Sequence, residues 1–158
     1  MVDLAGMMRD AGCSEVSWHL QTGNMFFHAD GDRDELAVRI QARLEGTGMR
    51  RADVMLRTPA ELAALTAVRP FRGMDGATWQ FEATFLGRAP AAADTTELTE
   101  QHGAVIAHQD PTVVCFAFLR GGRMDGGFNG WIEKRWNVPA TSRAWNVVEA
   151  VAAKASAL

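Results

Sequence analysis

The sequence has no tyrosine and only two cysteines, Cys13 and Cys115, and the cysteine scarcity removes whole classes of explanation. One cysteine follows the end of a predicted helix and the other lies inside an apolar strand. Neither a disulfide framework nor a Cys-X-X-Cys metal site can be assembled from them, and a reducing compartment is expected. Long apolar runs are also missing. The longest, Val113 to Leu119, is far shorter than a bilayer-spanning helix, and Asp3, Arg9 and Asp10 occupy the N-terminus where a secretory signal needs apolar residues. The expectation is a cytoplasmic protein with no membrane partner. A broad basic excess is absent too: the formal net charge is −3. Residues 1–119 hold 10 basic and 16 acidic side chains, against 6 basic and 3 acidic in residues 120–158. The locally positive tail can attract anions, although a solvated basic surface is the plainer reading. An acidic protein of this kind is not expected to take a nucleic-acid partner.

What is present describes a globular α+β protein. With 158 residues, 47% of them hydrophobic and 22% charged, the chain is read as a single domain spanning 1–158. Folding a chain of this size buries roughly two-thirds of its unfolded surface. No internal repeat, low-complexity tract or linker divides it.

Helical spacing of Leu4, Met7, Met8 and Ala11 predicts a short helix that stops at Gly12. Alternation from Val16, a turn at Thr22-Gly23-Asn24 and a second run Met25-Phe26-Phe27 predict a β-hairpin. Asp32 and Glu35 form a capping-box pattern ahead of Leu36, Ile40 and Leu44, and a strand is expected at Val54–Leu56. Thr58-Pro59-Ala60-Glu61 gives a clearer helix start, with Leu62, Leu65 and Val68 facing the core.

Residues 77–86 alternate Trp79, Phe81, Ala83 and Phe85 against Gln80, Glu82 and Thr84, as in a sheet with one wet face. Residues 89–102 read as a connection with about one helical turn. Two strands, 104–108 and 112–119, are expected to pair. A glycine-rich stretch at 120–130 then leads into a short helix containing Trp131, Ile132 and Trp136. Thr141 or Ser142 caps a final helix with Trp145, Val148, Val151 and Ala152 buried.

No strong catalytic motif occurs. The glycine-rich stretch lacks the lysine and hydroxyl of a phosphate-binding P-loop, and no Gly-X-Ser-X-Gly is present. His19, His28, His102 and His108 show no i, i+4 pair, so neither a metal nor a cofactor is expected. His19 and Gln21 share a strand face and could orient a polar substrate; a partly exposed histidine without a role is the plainer reading. The aromatic and methionine content describes a filled core by default and a soft apolar pocket as the alternative. Trp131, Trp136 and Trp145, close to Arg135 and Arg143, could hold a flat or anionic ligand by stacking and charge.

Two stretches, His19-Leu20-Gln21-Thr22-Gly23-Asn24-Met25-Phe26-Phe27 and residues 132–145 from Ile132 to Trp145, carry a family resemblance. In order, spacing and length the chain resembles the bacterial domain-of-unknown-function 1697 family. Gln21, Gly23 and Asn24 match its hairpin motif, with Thr22 where serine is usual. Asn129, Glu133, Lys134, Arg135, Pro139, Ala140, Thr141, Arg143 and Trp145 match its C-terminal motif.

The resemblance implies ferredoxin-like βαββαβ character in the first half, antiparallel strands and two helices after it, and no established activity. Members usually begin with another strand and an Arg-Gly loop, whereas this chain starts with the helix, through truncation or loss of that element. An uncovered central edge would then need another strand, and a homodimer is expected, with a doubled mass in solution scattering. Members also carry a Ser-Lys pair in the glycine-rich loop where this chain has Asp125-Gly126.

Three functional readings follow. The first is a small-molecule binding protein whose ligand is aromatic or anionic, with Gln21, Thr22, Asn24, Asn129, Arg135, Arg143 and Trp145 lining one pocket. The second is a cofactor-free enzyme, an isomerase, cyclase or hydrolase, that uses the same pocket with His19 or Asp125 as its proton-transfer group. The third is a protein-interaction module without a pocket, in which Asn24 and Thr141 only close a turn and cap a helix.

Overall fold

Gly12 takes the left-handed conformation (φ 93°) and ends the first helix, α1 (Leu4–Asp10), where a side chain would be strained. In the computed structural model, which describes residues 4–19, 23–48, 53–121 and 127–158, the chain divides into two compact units, Met1–Arg57 and Thr58–Leu158.

The first unit carries the predicted hairpin. Strands β1 (Ser14–His19) and β2 (Asn24–His28) pair antiparallel with Ser17 opposite Phe26 and His19 opposite Asn24. A bulge between Ser14 and Ser17 accommodates Glu15 at φ 50°. Helix α2 (Arg33–Glu45) is capped by Asp32, whose carboxylate accepts from the Asp34 and Glu35 N–H groups at 2.9 and 3.0 Å. This is the forward half of the expected capping box; Glu35 does not return the bond.

Met8, Ala11, Cys13, Leu36 and Ile40 form this unit's buried core. Val54 and Leu56 pack against that core but pair with no strand among the described residues, which corrects the predicted strand there. Their apolar spacing satisfies packing alone. The α1–β1–β2–α2 order follows the αββα portion of the βαββαβ pattern that the resemblance implies.

The second unit opens with the predicted capping box. The Thr58 hydroxyl accepts from the Glu61 N–H (3.2 Å), the Thr58 N–H donates to the Glu61 carboxylate (2.7 Å), and Pro59 starts α3 (Pro59–Val68). Because both bonds are local, Thr58→Ala is expected to lower the unit's stability by about 1 kcal/mol in urea unfolding. Leu62 and Leu65 are buried, but Val68, expected in the core, is 49% exposed at the helix's last turn.

Four strands make one antiparallel sheet: β3 (Trp79–Leu86), β4 (Val105–Gln109), β5 (Val113–Leu119) and β6 (Ala140–Ala144), in the order β4-β5-β3-β6. The predicted pairing of β4 with β5 is present. Strand β6 corrects the expectation that Thr141 or Ser142 caps the last helix. Both residues lie in β6, opposite Phe85 and Thr84, and the helix α6 (Trp145–Ala155) begins after Ala144 without a side-chain cap.

The face of β3 expected to be wet is covered. Leu98 of α4 (Thr96–His102) and Phe128, Ile132 and Trp136 of α5 (Gly127–Trp136) bury it together with Leu86, Val114, Phe116 and Ala140. Thr84 on that face is fully buried and shares a hydrogen bond of 2.7 Å with the Ser142 hydroxyl. Residues opposite it alternate to the other face, where Phe81 stacks on Phe71 and α3 and α6 pack together. Both cysteines are buried thiols, and burial pushes the Cys115 thiol up to about 12, which keeps it un-ionised and inert.

Candidate functional site

Strand β6 stops opposite Glu82 and turns at Ala144 into α6, so β3 runs on toward Trp79 with no β6 partner on that edge. A cleft of about 650 Å³ opens at this corner. Its aromatic floor comes from Phe71, Phe81 and Trp145. The Phe71 and Phe81 rings stack with centroids 4.5 Å apart at 25°, and Phe71 meets Trp145 edge-on at 5.2 Å and 77°. Trp145 and Phe71 are buried, whereas Phe81 is half-buried and lines the open space.

Helical spacing supplies two of the walls. Thr66 and Arg69 sit three residues apart at the end of α3, and Trp145 and Glu149 sit four apart on α6, with Asn146 beside them. Arg69 and Arg72 bracket a turn in which the Arg72 N–H donates to the Arg69 carbonyl at 3.0 Å. Arg120, just past β5, is steered by its Nε, which donates to the Gly76 carbonyl at 2.8 Å.

These three arginines are exposed and take part in no ion pair among the described residues. Arg120 and the Asp75 carboxylate feel each other's charge. The Ala77 N–H and the Thr78 hydroxyl hold that carboxyl below its usual range, with a smaller contribution from the Arg120 charge. The first turn of α6 contains no acidic residue and adds its partial positive end to the same corner.

Arg69 adopts φ 51°, the left-handed conformation that glycine or asparagine takes most easily at a helix C-terminus. The arginine therefore stands at a position where backbone preference argues against it. Arg69→Gly is expected to raise thermal stability by about 0.5–1 kcal/mol through relief of this strain while it weakens anion binding.

Glu82, half-buried at the cleft edge, is raised in pKa by burial. A carboxyl raised in the folded state favours folding below the ordinary carboxylate range and loses that contribution as pH rises through its folded value. Glu82→Gln is expected to stabilise the protein near neutral pH, with the gain shrinking in acid. Paired thermal melts across that range check the sign.

The residues expected from sequence occupy other places. Gln21, Thr22 and Asp125 lie outside the described residues. His19 and Asn24 face each other in the hairpin of the first unit, where the Asn24 amide donates to the His19 carbonyl at 3.5 Å. In the second unit Asn129 and Arg135 belong to α5 on one face of the sheet, while Arg143 points to the opposite face, so the sheet separates them.

Arg135 is ion-paired with Glu97, and its hydrogen bond holds that carboxyl below the usual range. Trp131 and Trp136 donate to Glu97 and to the Asp94 carbonyl at 3.4 and 3.2 Å, which ties α5 to the α4 region. The Arg143 guanidinium donates to the Thr141 hydroxyl at 2.7 Å and the Ser142 carbonyl at 2.8 Å, and burial lowers its pKa. Among the described residues of the expected set, only Trp145 lines the cleft. Arg69, Arg72, Glu82, Arg120, Asn146 and Glu149 were missed. The one local signal was an arginine, followed by Pro70, at a helix end that favours glycine.

A hairpin unit and an antiparallel four-stranded sheet with helices on both faces define an α+β protein, and its cleft offers cations around an aromatic floor. The chain belongs to the family described as Protein of unknown function (DUF1697), whose model matches residues 1–112. That match includes the hairpin motif and ends before residues 132–145. No curated protein and no solved structure matches the chain. Among the described residues no helix is long and apolar enough to cross a membrane, and no cluster of His, Cys, Asp and Glu gathers as for a metal ion.

Proposed function

We propose that this protein binds a small anionic molecule with a flat or apolar portion, in the cleft beside the N-terminus of α6. The observation that carries this reading is the grouping of Arg69, Arg72 and Arg120, outside any ion pair among the described residues, around a floor of Phe71, Phe81 and Trp145. Guanidinium groups match carboxylate and phosphate geometry through forked donors, and an aromatic floor removes apolar ligand surface from water. A volume of about 650 Å³ suits a metabolite-sized molecule. The buried, free cysteines fit a reducing compartment, and we place the protein in the cytoplasm on that ground.

Native mass spectrometry on protein purified from its own host tests the reading. A co-purified small anion that is retained by the wild-type chain and lost on Arg72→Ala supports it. A retained molecule that survives Arg69→Ala, Arg72→Ala and Arg120→Ala with the fold intact contradicts it.

A further inference from the structure

The cleft straddles an edge of the sheet. Alternation along β3 sends the Gln80 and Glu82 side chains to the face that Leu86 shares with α5, and the Phe81 side chain to the opposite face, with Phe71 and Trp145. All three β3 residues nevertheless line the same space. Only a space that wraps around the strand's edge touches both faces, and a ligand laid on one face leaves the other part of the lining unused.

The backbone at this edge is open as well. The Thr78 carbonyl accepts from the Arg120 N–H at 3.0 Å and the Leu86 N–H donates to the Thr112 carbonyl at 2.8 Å, so the even-numbered residues of β3 turn their backbone groups toward β5. The odd-numbered residues turn theirs toward β6, as the Gly87 N–H does in donating to the Pro139 carbonyl at 2.8 Å. Pairing with β6 ends at Glu82 and Ala144, and the Trp79 N–H is taken by the Asp75 carbonyl at 2.9 Å. The Phe81 N–H and the Trp79 carbonyl therefore point out of the sheet with no strand beside them among the described residues. Burial follows the same boundary: residues 83–86, flanked by β6, are buried, whereas residues 79–82 are half-buried or exposed.

Resting on the anion-binding reading above, we infer that the cleft takes the C-terminal end of a short extended peptide, which adds to the open edge of β3. One residue of a parallel added strand donates to the Trp79 carbonyl and accepts from the Phe81 N–H. The terminal carboxylate meets Arg69 and Arg72, which take part in no ion pair among the described residues. The last side chain, an apolar one, lies on the Phe81 and Trp145 side, and the one before it turns to the Gln80 side. Strand addition draws affinity from main-chain hydrogen bonds and specificity from sites for alternate side chains, and both are provided at this corner. Charge complementarity selects the carboxylate end of a peptide over an internal stretch.

The test uses probes that share one phenyl group: acetyl-alanyl-alanyl-phenylalanine, the same peptide with methylated amide nitrogens, the same peptide with a C-terminal carboxamide, and 3-phenylpropionate, which has the carboxylate and ring without the backbone. Calorimetric titration of the full chain is expected to show the first peptide bound at least about tenfold more tightly than each of the others, the size of one lost hydrogen bond left unreplaced. Amide hydrogen exchange at Phe81 should slow when that peptide is bound and stay unchanged with 3-phenylpropionate, because only strand pairing engages this N–H.

Equal binding of the methylated peptide, a peptide no tighter than 3-phenylpropionate, or unchanged exchange at Phe81 overturns the strand-addition inference and leaves the anion reading standing. A carboxamide that binds as tightly as the acid, or no binding of any carboxylate probe, overturns both.

Discussion

Replacing Arg69 and Arg72 together by alanine is expected to weaken 3-phenylpropionate binding on the order of a hundredfold. Hydrogen bonds to charged groups contribute about 1.5–3 kcal/mol each, and each 1.4 kcal/mol is a factor of ten. Both side chains stand on a turn outside the hydrophobic core, so their removal leaves packing intact. The loss should shrink as ionic strength rises, because exposed charges are screened. Arg135→Ala is the matched control. That arginine is paired with Glu97 on the other face of the sheet, 58% exposed, and its removal should leave the affinity as it was and cost at most about 1 kcal/mol of stability. If Arg135→Ala lowers affinity as much as the Arg69/Arg72 pair does, the ligand sits at α5 and the cleft has been misassigned.

The largest stability effect is expected at Phe116. Its side chain is fully buried in the middle of β5, stacked on Phe128 with centroids 4.8 Å apart at 12°, and surrounded by Leu98, Ile132 and Trp136. Phe116→Ala leaves a cavity that sheet and helices on both sides cannot fill together, and such changes cost about 3–5 kcal/mol. Against a total stability of about 5–15 kcal/mol this brings the second unit close to its unfolding threshold. Val68→Ala, at a position with core spacing in sequence but 49% exposed in the fold, should change stability by about 0.5 kcal/mol or less. Urea midpoints for the two variants separate a core residue from one that only shares its periodicity.

That contrast shows which elements could be read from sequence. The α3 start was legible because its signal is local: Thr58, Pro59 and Glu61 satisfy one another within a single turn. The hairpin and the β4–β5 pair were legible for a related reason, since short connections leave adjacent strands few alternatives. Strand β6 was not. Ala140-Thr141-Ser142-Arg143-Ala144 has no apolar alternation and becomes a strand only because β3 offers it an edge, with Thr84 and Ser142 sharing a hydrogen bond across the pair. Helix α4 is longer than the one helical turn expected there, because among its described side chains Leu98 alone is buried, too little for a periodic signal. Around residues 54–56 the apolar pattern is present, and among the described residues no strand pairs with it.

The cleft was the least legible part. Its charged residues lie at 69, 72, 82, 120 and 149, and what brings them together is the register of β3 with β6 and the packing of α3 on α6. No spacing rule in the chain encodes such convergence. The tryptophan–arginine cluster at 131–145 looked like a site because its members are neighbours in sequence. In the fold Arg135 and Arg143 fall on opposite faces of a sheet, and Trp131 and Trp136 are engaged by the α4 region.

The central claim, that a small anion occupies the cleft at the start of α6, is tested most directly by an amide and side-chain nitrogen NMR titration of the wild-type chain with 3-phenylpropionate. Saturable shifts are expected at Arg69, Arg72 and Arg120, at the Trp145 indole and at the Asn146 amide. Shifts confined to the His19–Asn24 hairpin or to α5, with those five unmoved, would contradict it.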